Sequence, residues 1–110
     1  MRVLLLVAIV LAAASAANGA SRILAFVHGN DLYQRCQDRN PECMSYVTGL
    51  ADMSEMVAQR LTNICRPPAV TIEQLVDVLT SWLKANPAER HRPAATLAGM
   101  AFAEAWPCDR

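Results

Sequence analysis

Four cysteines have the clearest chemistry in this 110-residue chain: Cys36, Cys43, Cys65 and Cys108. A structural zinc site usually places two ligands two to four residues apart, whereas the closest pair here is 7 apart. The C-x-x-C spacing of a redox pair is also absent. An even number of cysteines in a small exported chain is typical of structural disulfide bonds. The sequence therefore predicts two disulfides rather than a metal site.

The spacing of the cysteines favours one pairing among the three that are formally available. Cys36 and Cys43 flank the turn signal Asn40-Pro41, so a helix end and the next helix start can meet there. Cys65 and Cys108 would then tie the middle of the chain to its end. That longer bridge would stabilise the fold by about 3–4 kcal/mol on the chain-entropy model. The two other pairings stay open at this point.

The remaining candidates for catalysis are sparse. His28 and His91 are isolated, and a Cys–His nucleophilic pair would need a free thiol that two disulfides do not leave. Asp52 and Glu55 lie three apart, which indicates a solvated helix face more than an acid–base pair. Hydrolase, metalloprotease and phosphate-loop motifs are missing. We therefore predict no catalytic residue, no metal and no cofactor.

The N-terminal segment has the organisation of a secretory signal peptide. Arg2 precedes an apolar run over residues 3–13, and small residues follow it. A run of about 11 residues is too short to span a bilayer, which disfavours the alternative of a membrane anchor. We expect residues 1–20 to be the signal peptide, with cleavage after Ala16 or Ala20. Residues 21–110 are then the mature domain, in the periplasm.

The charge of the chain excludes two classes of partner. The formal net charge is zero, and loss of Arg2 with the signal peptide leaves about one net negative charge. A neutral domain has no electrostatic reason to bind nucleic acid or an anionic membrane surface. We expect neither as a partner of the mature protein.

After the signal peptide the apolar residues recur at helical spacing, with no strand-like alternation. Asn30, Asn40 and Thr71 are expected N-caps, and Thr71 with Gln74 forms the pattern of a capping box. Gly49 interrupts the apolar stripe of the second helix, which suggests a close contact between helices. The residues of this stripe are Cys43, Tyr46, Val47, Leu50, Val57 and Leu61. The fold class is a small all-α domain of four helices stapled by two disulfides. The expected helices are 31–37, one that starts after Asn40 and ends before Cys65, 72–85 and 93–105, with a single turn at 87–91.

Two proline-stiffened loops remain as candidate binding segments. One is residues 66–70, and the other is the charged turn at 86–92. A loop that is ordered in advance loses less entropy when it binds. We therefore predict partner-binding residues in the charged turn: Glu89, Arg90, His91 and Arg92.

The order of these features resembles the Rap1a/Tai family of type VI secretion immunity proteins over about 80 residues, nearly the whole mature chain. The segments that carry the resemblance are Gly29-Asn30-Asp31-Leu32-Tyr33 before Cys36, Cys43 with Tyr46 and Gly49, Cys65-Arg66-Pro67, Val70-Thr71, Gln74-Leu75, Trp82-Leu83, Pro87, Arg90-His91, Ala94 and Ala105-Trp106-Pro107-Cys108.

This resemblance implies a periplasmic, helical, disulfide-bonded and homodimeric protein that is not an enzyme. Members of the family bind peptidoglycan amidase toxins delivered by sister cells and block their Cys–His active site. The shared motif residues look structural, so the resemblance assigns no toxin contact to this chain. The alternative is a small periplasmic acid-stress chaperone, or a structural helical protein without a toxin partner.

Overall fold

The computed structural model describes residues 24–57 and 59–109, and the predicted signal peptide lies outside them. The described part of the chain contains four helices of seven residues or more and one short helical segment. They are α1 (Gly29–Arg35), α2 (Pro41–Met56), the short α3 (Gln59–Thr62), α4 (Ile72–Ala85) and α5 (Ala94–Ala105). A 3₁₀ turn, Pro87–Glu89, joins α4 to α5. Within the described residues there is no β-strand, and the predicted all-α class is confirmed.

Two helices begin at the caps that the sequence predicts. The Asn40 side chain accepts a hydrogen bond from the Cys43 backbone N–H at 2.9 Å, and Pro41 follows at the first helical position. Thr71 and Gln74 form the capping box of α4: each side-chain oxygen accepts from the other residue's backbone N–H, at 3.2 and 2.8 Å. The predicted bounds of α4 are confirmed.

The predicted start of α1 was wrong. The N-cap is His28, not Asn30, and its backbone N–H donates to the Asp31 carboxylate at 3.0 Å. His28 is held extended by an antiparallel bridge to Pro93, so the helix begins directly after it. This pairing joins residues 65 positions apart in the chain, and no local pattern announces it. The helix also ends at Arg35 rather than at residue 37.

The single helix expected between Asn40 and Cys65 is interrupted. Helix α2 ends at Met56, Val57 has an extended conformation, and α3 is a separate turn. The break allows Ile64, which is buried, to form a bridge with Pro107. Leu61, expected on the buried stripe, is 75% exposed as a result.

Both disulfides have the expected pairing. Cys36–Cys43 is buried and links the end of α1 to the first turn of α2, with Cα atoms 5.1 Å apart. Cys65–Cys108 closes the segment that contains α4 and α5, with Cα atoms 4.9 Å apart. Beside it, the Cys65 backbone N–H donates to the Trp106 carbonyl at 2.8 Å.

The core lies where α2, α4 and α5 meet, with α1 packed across one end. Helix α5 buries three alanines, Ala94, Ala98 and Ala101, whose small side chains let it approach its neighbours, whereas Ala105 at its end is exposed. The close contact expected at Gly49 is wrong: a Cβ there would have nothing within 4 Å. No helix among the described residues is long and apolar enough to cross a bilayer. The buried apolar residues are Leu32, Cys36, Cys43, Val47, Ala51, Ile64, Leu75, Val76, Leu79, Leu83, Ala94, Leu97, Ala98, Ala101 and Phe102.

Candidate functional site

The charged turn singled out in the sequence connects α4 to α5 and is tightly folded. We call residues 86–93 the α4–α5 turn. Three backbone hydrogen bonds close it: Glu89 N–H to the Asn86 carbonyl at 3.1 Å, Arg90 N–H to Pro87 at 3.4 Å, and Arg92 N–H to Glu89 at 3.0 Å. Pro87 begins its 3₁₀ segment and Pro93 precedes α5, so both ends of the turn have restricted backbone angles.

Arg90 faces inward and anchors this turn to α4. Its Nε donates to the Leu83 carbonyl at 2.7 Å, and Nη2 lies 3.5 Å from the Lys84 carbonyl. These carbonyls belong to the last turn of the helix, where a cation is favourable and acceptors need donors. The guanidinium also lies 3.9 Å from the centroid of the Tyr33 ring, a cation–π contact. Arg90 therefore shapes the turn, because its Nε holds the turn against the end of α4.

The N-terminus of α1 holds the opposite side of the turn. Gly29 N–H donates to the Arg92 carbonyl and Asn30 N–H donates to the Arg90 carbonyl, both at 2.9 Å. Gly29 is buried, and a Cβ on it would lie 2.8 Å from the Arg90 Cα and carbonyl oxygen. Only glycine allows the two backbones this close. No local sequence signal marks this contact, because a glycine beside a helix start looks like an ordinary loop residue.

The other three residues of the predicted binding set reach the surface. Glu89 and Arg92 form a half-exposed ion pair with an N–O distance of 3.0 Å. His91 is exposed, and its Nδ1 lies 2.9 Å from the Ala88 carbonyl. An exposed pair of this kind contributes little to stability, on the order of 0–1 kcal/mol. The turn thus presents Glu89, His91 and Arg92 together on a fixed backbone.

No arrangement for catalysis forms among the described residues. All four cysteines are in disulfides, so a Cys–His pair has no thiol. His28 caps α1, and Glu55 forms an ion pair with Arg66 of the other proline-stiffened loop at 3.0 Å. Asp52 is exposed on α2. In the part of the chain that is described, no three His, Cys, Asp or Glu side chains converge where a metal could bind.

Two surface concavities were not anticipated from the sequence, because each forms only where separate helices meet. An open cleft of about 520 Å³ lies between the C-terminal halves of α4 and α5. A narrower apolar groove of about 240 Å³ lies between α2 and α5, beside the exposed Met53. Residues that line the cleft are Asp77, Val78, Ser81, Trp82, Ala85, Asn86, Ala101, Glu104 and Ala105.

These features define a small helical domain that is stabilised by disulfides and has a rigid turn as its distinctive surface. A domain of this kind belongs to the class of protein-binding domains. Comparison with protein families gives the more particular result. The model of the Rap1a immunity proteins matches residues 28–108, and the chain belongs to this family. It is accordingly an immunity protein associated with type VI secretion. Immunity proteins of this family are inhibitors, which confirms the prediction that the chain is not an enzyme. Neither the curated proteins nor the solved structures that were compared with the chain give a match.

Proposed function

We propose that this immunity protein acts in the periplasm, where it binds a peptidoglycan amidase delivered by the type VI secretion system and blocks its active site. Family membership supports a toxin partner, and the choice of an amidase follows from the resemblance set out above. The α4–α5 turn supplies the contact surface, with Glu89, His91 and Arg92 facing the toxin. Arg90 keeps the turn in shape.

The observation that carries this proposal is the bracing of the turn from both sides. Arg90 fixes it to α4, and the backbone of Gly29 and Asn30 fixes it to α1. A surface held in this way loses little conformational entropy when a partner binds. A polar and rigid turn is also suited to entering the concave active site of a hydrolase.

The proposed location rests on the disulfides and on the N-terminal sequence. Disulfides persist in an oxidising compartment such as the periplasm. The signal peptide would be removed by cleavage after Ala16 or Ala20, leaving a domain that begins at residue 17 or 21. Mass spectrometry of the protein from a periplasmic fraction measures this start directly. A mass that still includes Arg2 would contradict cleavage, and recovery in the cytoplasmic fraction would contradict export.

We also propose that the mature protein is a homodimer, as the resemblance implies. The exposed apolar side chains of α2 support this, since Met53 is 58% and Met56 is 81% exposed. Exposed apolar residues grouped in this way often mark protein interfaces. Sedimentation equilibrium should give twice the monomer mass, and a monomer at all concentrations would contradict the dimer.

The test of the immunity role uses any peptidoglycan amidase that is found encoded beside this gene or elsewhere in the same genome. Calorimetry should give a sub-micromolar Kd, and amidase activity should fall in proportion to complex formation. Replacing His91 and Arg92 with Ala should weaken binding by about tenfold or more, as expected when central contact residues are truncated. Glu73→Gln, on the exposed first turn of α4, is the control and should bind normally.

The outcomes separate the two parts of the proposal. If the amidase binds but the His91 and Arg92 variant binds equally well, the contact surface lies elsewhere on the domain. If no amidase from the same genome binds or is inhibited, the amidase-immunity proposal fails. Thermal unfolding of each variant, followed by circular dichroism, confirms that a loss of binding is not a loss of fold.

A further inference from the structure

The open cleft between α4 and α5 lies beside the turn but does not belong to it. Its walls are the C-terminal halves of the two helices, and Asn86 is the residue at which cleft and turn meet. The volume of about 520 Å³ is within the range of small-ligand sites. The floor is apolar, with Val78 half-buried and Ala101 buried. Such a floor favours an occupant with an aliphatic part.

The charged residues of the cleft wall are both acidic. Asp77 and Glu104 line it, and no Lys, Arg or His does so. Arg39, from the segment between α1 and α2, already forms an ion pair with Asp77 at one end. Glu104 takes part in none of the ion pairs among the described residues. At the Glu104 end, therefore, the cleft has a carboxylate without a cation.

The position of Glu104 in its helix adds to the negative potential at this end of the cleft. It lies in the last turn of α5, where the helix dipole is negative and a cation would be favourable, and no basic residue is present in that turn. The Trp82 indole Nε1 donates to the Glu104 carboxylate at 2.9 Å, which orients the carboxylate beside the Trp82 ring. An acidic group fixed next to a half-exposed aromatic ring is a favourable setting for a planar cation.

We propose that this cleft binds an arginine side chain presented by a protein partner. The guanidinium would lie against Trp82 and pair with Glu104, and its aliphatic stem would cover Val78 and Ala101. Arginine fits better than a metal ion, because the described residues offer no converging set of metal ligands there. It also fits better than lysine, because a planar guanidinium can stack on the ring and pair with the carboxylate at once. At the opposite end of the cleft, the Asp77 carboxylate already pairs with an arginine, Arg39.

The test needs no toxin, so its outcome is independent of the amidase proposal. The probe is the capped tripeptide acetyl-Gly-Arg-Gly-amide, titrated into ¹⁵N-labelled mature protein and followed by NMR. The matched probe replaces arginine with citrulline, which has nearly the same shape but no charge. We expect saturable shifts of the Trp82 indole N–H and of the Ala101 and Ala105 amides. The citrulline peptide should bind about tenfold more weakly.

Variants of the protein assign the effect to the cleft. Glu104→Gln should weaken binding of the arginine peptide by about fivefold or more, because it removes the charge but keeps an acceptor for Trp82. Glu73→Gln removes an equal charge from the far end of α4 and should leave binding unchanged. Equal binding of the two peptides, an unaffected Glu104→Gln variant, or shifts confined to the α4–α5 turn would each overturn the proposal.

Discussion

The close approach of Gly29 to the α4–α5 turn gives the sharpest test of how the turn is held. Replacing Gly29 with Ala adds one methyl group at a buried position where the nearest backbone atoms, the Cα and O of Arg90, are 2.8 Å away. The Leu97 side chain is at 2.5 Å from the same point. A leucine methyl could rotate, but the Arg90 backbone can give way only by straining or breaking the hydrogen bond that its carbonyl accepts from Asn30 N–H on α1. The turn must therefore move away from α1.

The expected cost follows from what that movement breaks. The hydrogen bonds from Gly29 N–H and Asn30 N–H to the turn contribute about 1 kcal/mol each. Overpacking of a close contact costs a further 1–3 kcal/mol or so. Alanine regains up to about 1 kcal/mol over glycine in a helix. We expect a net loss of about 2–4 kcal/mol in the free energy of unfolding, and a fall in Tm of roughly 10–25 °C for a domain of this size.

The control is Gly49→Ala, the same substitution on α2. A Cβ at Gly49 has nothing within 4 Å, so the variant should gain about 0.5–1 kcal/mol from helix propensity alone. Thermal and urea unfolding, followed by far-UV circular dichroism, measure both variants. If the two substitutions shift the midpoint in the same direction, the close approach of α1 to the turn does not constrain the residue at position 29. Loss of amidase binding by a folded Gly29→Ala variant would also link this contact to function.

Three further perturbations test other parts of the structure. Arg90→Lys keeps the charge but loses the planar contacts with α4, so it should lower the free energy of unfolding, measured in urea, by about 1–2 kcal/mol. The control is Lys84→Ala, a change at the same helix end, which should have a much smaller effect. An equal loss in both variants would contradict the capping role of Arg90. Replacing Cys65 and Cys108 together with Ser should cost about 3–4 kcal/mol, measured as the difference from the oxidised protein, and a variant as stable as the parent would contradict the chain-entropy reasoning. Burial raises the pKa of Tyr46 above its ordinary value of 10.0, although the charge of Arg35 opposes this. Folding therefore disfavours ionisation of Tyr46. The contribution of the neutral Tyr46 to the free energy of unfolding is complete below pH 10 and is lost as the pH rises through the raised pKa. Tyr46→Phe should flatten the decline of Tm above pH 10, and an unchanged decline would show that other groups cause it.

Local sequence signals were enough to predict most of the helices, because those signals act within one turn. The starts of α2 and α4 do not depend on the rest of the fold, because each is set by capping residues that act on neighbouring backbone N–H groups. These residues are Asn40 with Pro41 for α2, and Thr71 with Gln74 for α4. The four cysteines also determined that the domain would be cross-linked. Their spacing around a turn favoured the pairing that the structure confirms.

Features that join distant parts of the chain were decided only by the tertiary structure. The bridge between His28 and Pro93 fixes where α1 begins. The break after α2 comes with a second bridge, between Ile64 and Pro107. Neither pairing has a signature in the residues around it. The same holds for the two glycines: Gly49 was expected in a close contact and is exposed, whereas Gly29 makes the contact.

The charged turn shows the division most clearly. Its charges and prolines, read from the sequence, marked residues 89–92 as a candidate binding surface and could not distinguish one residue from another. The fold turns Arg90 inward to cap α4 and leaves Glu89, His91 and Arg92 at the surface. The sequence by itself determined the composition and stiffness of the turn, since these depend on residue types. Which side chains reach the surface was decided by tertiary structure, because it depends on where α1 and α4 lie.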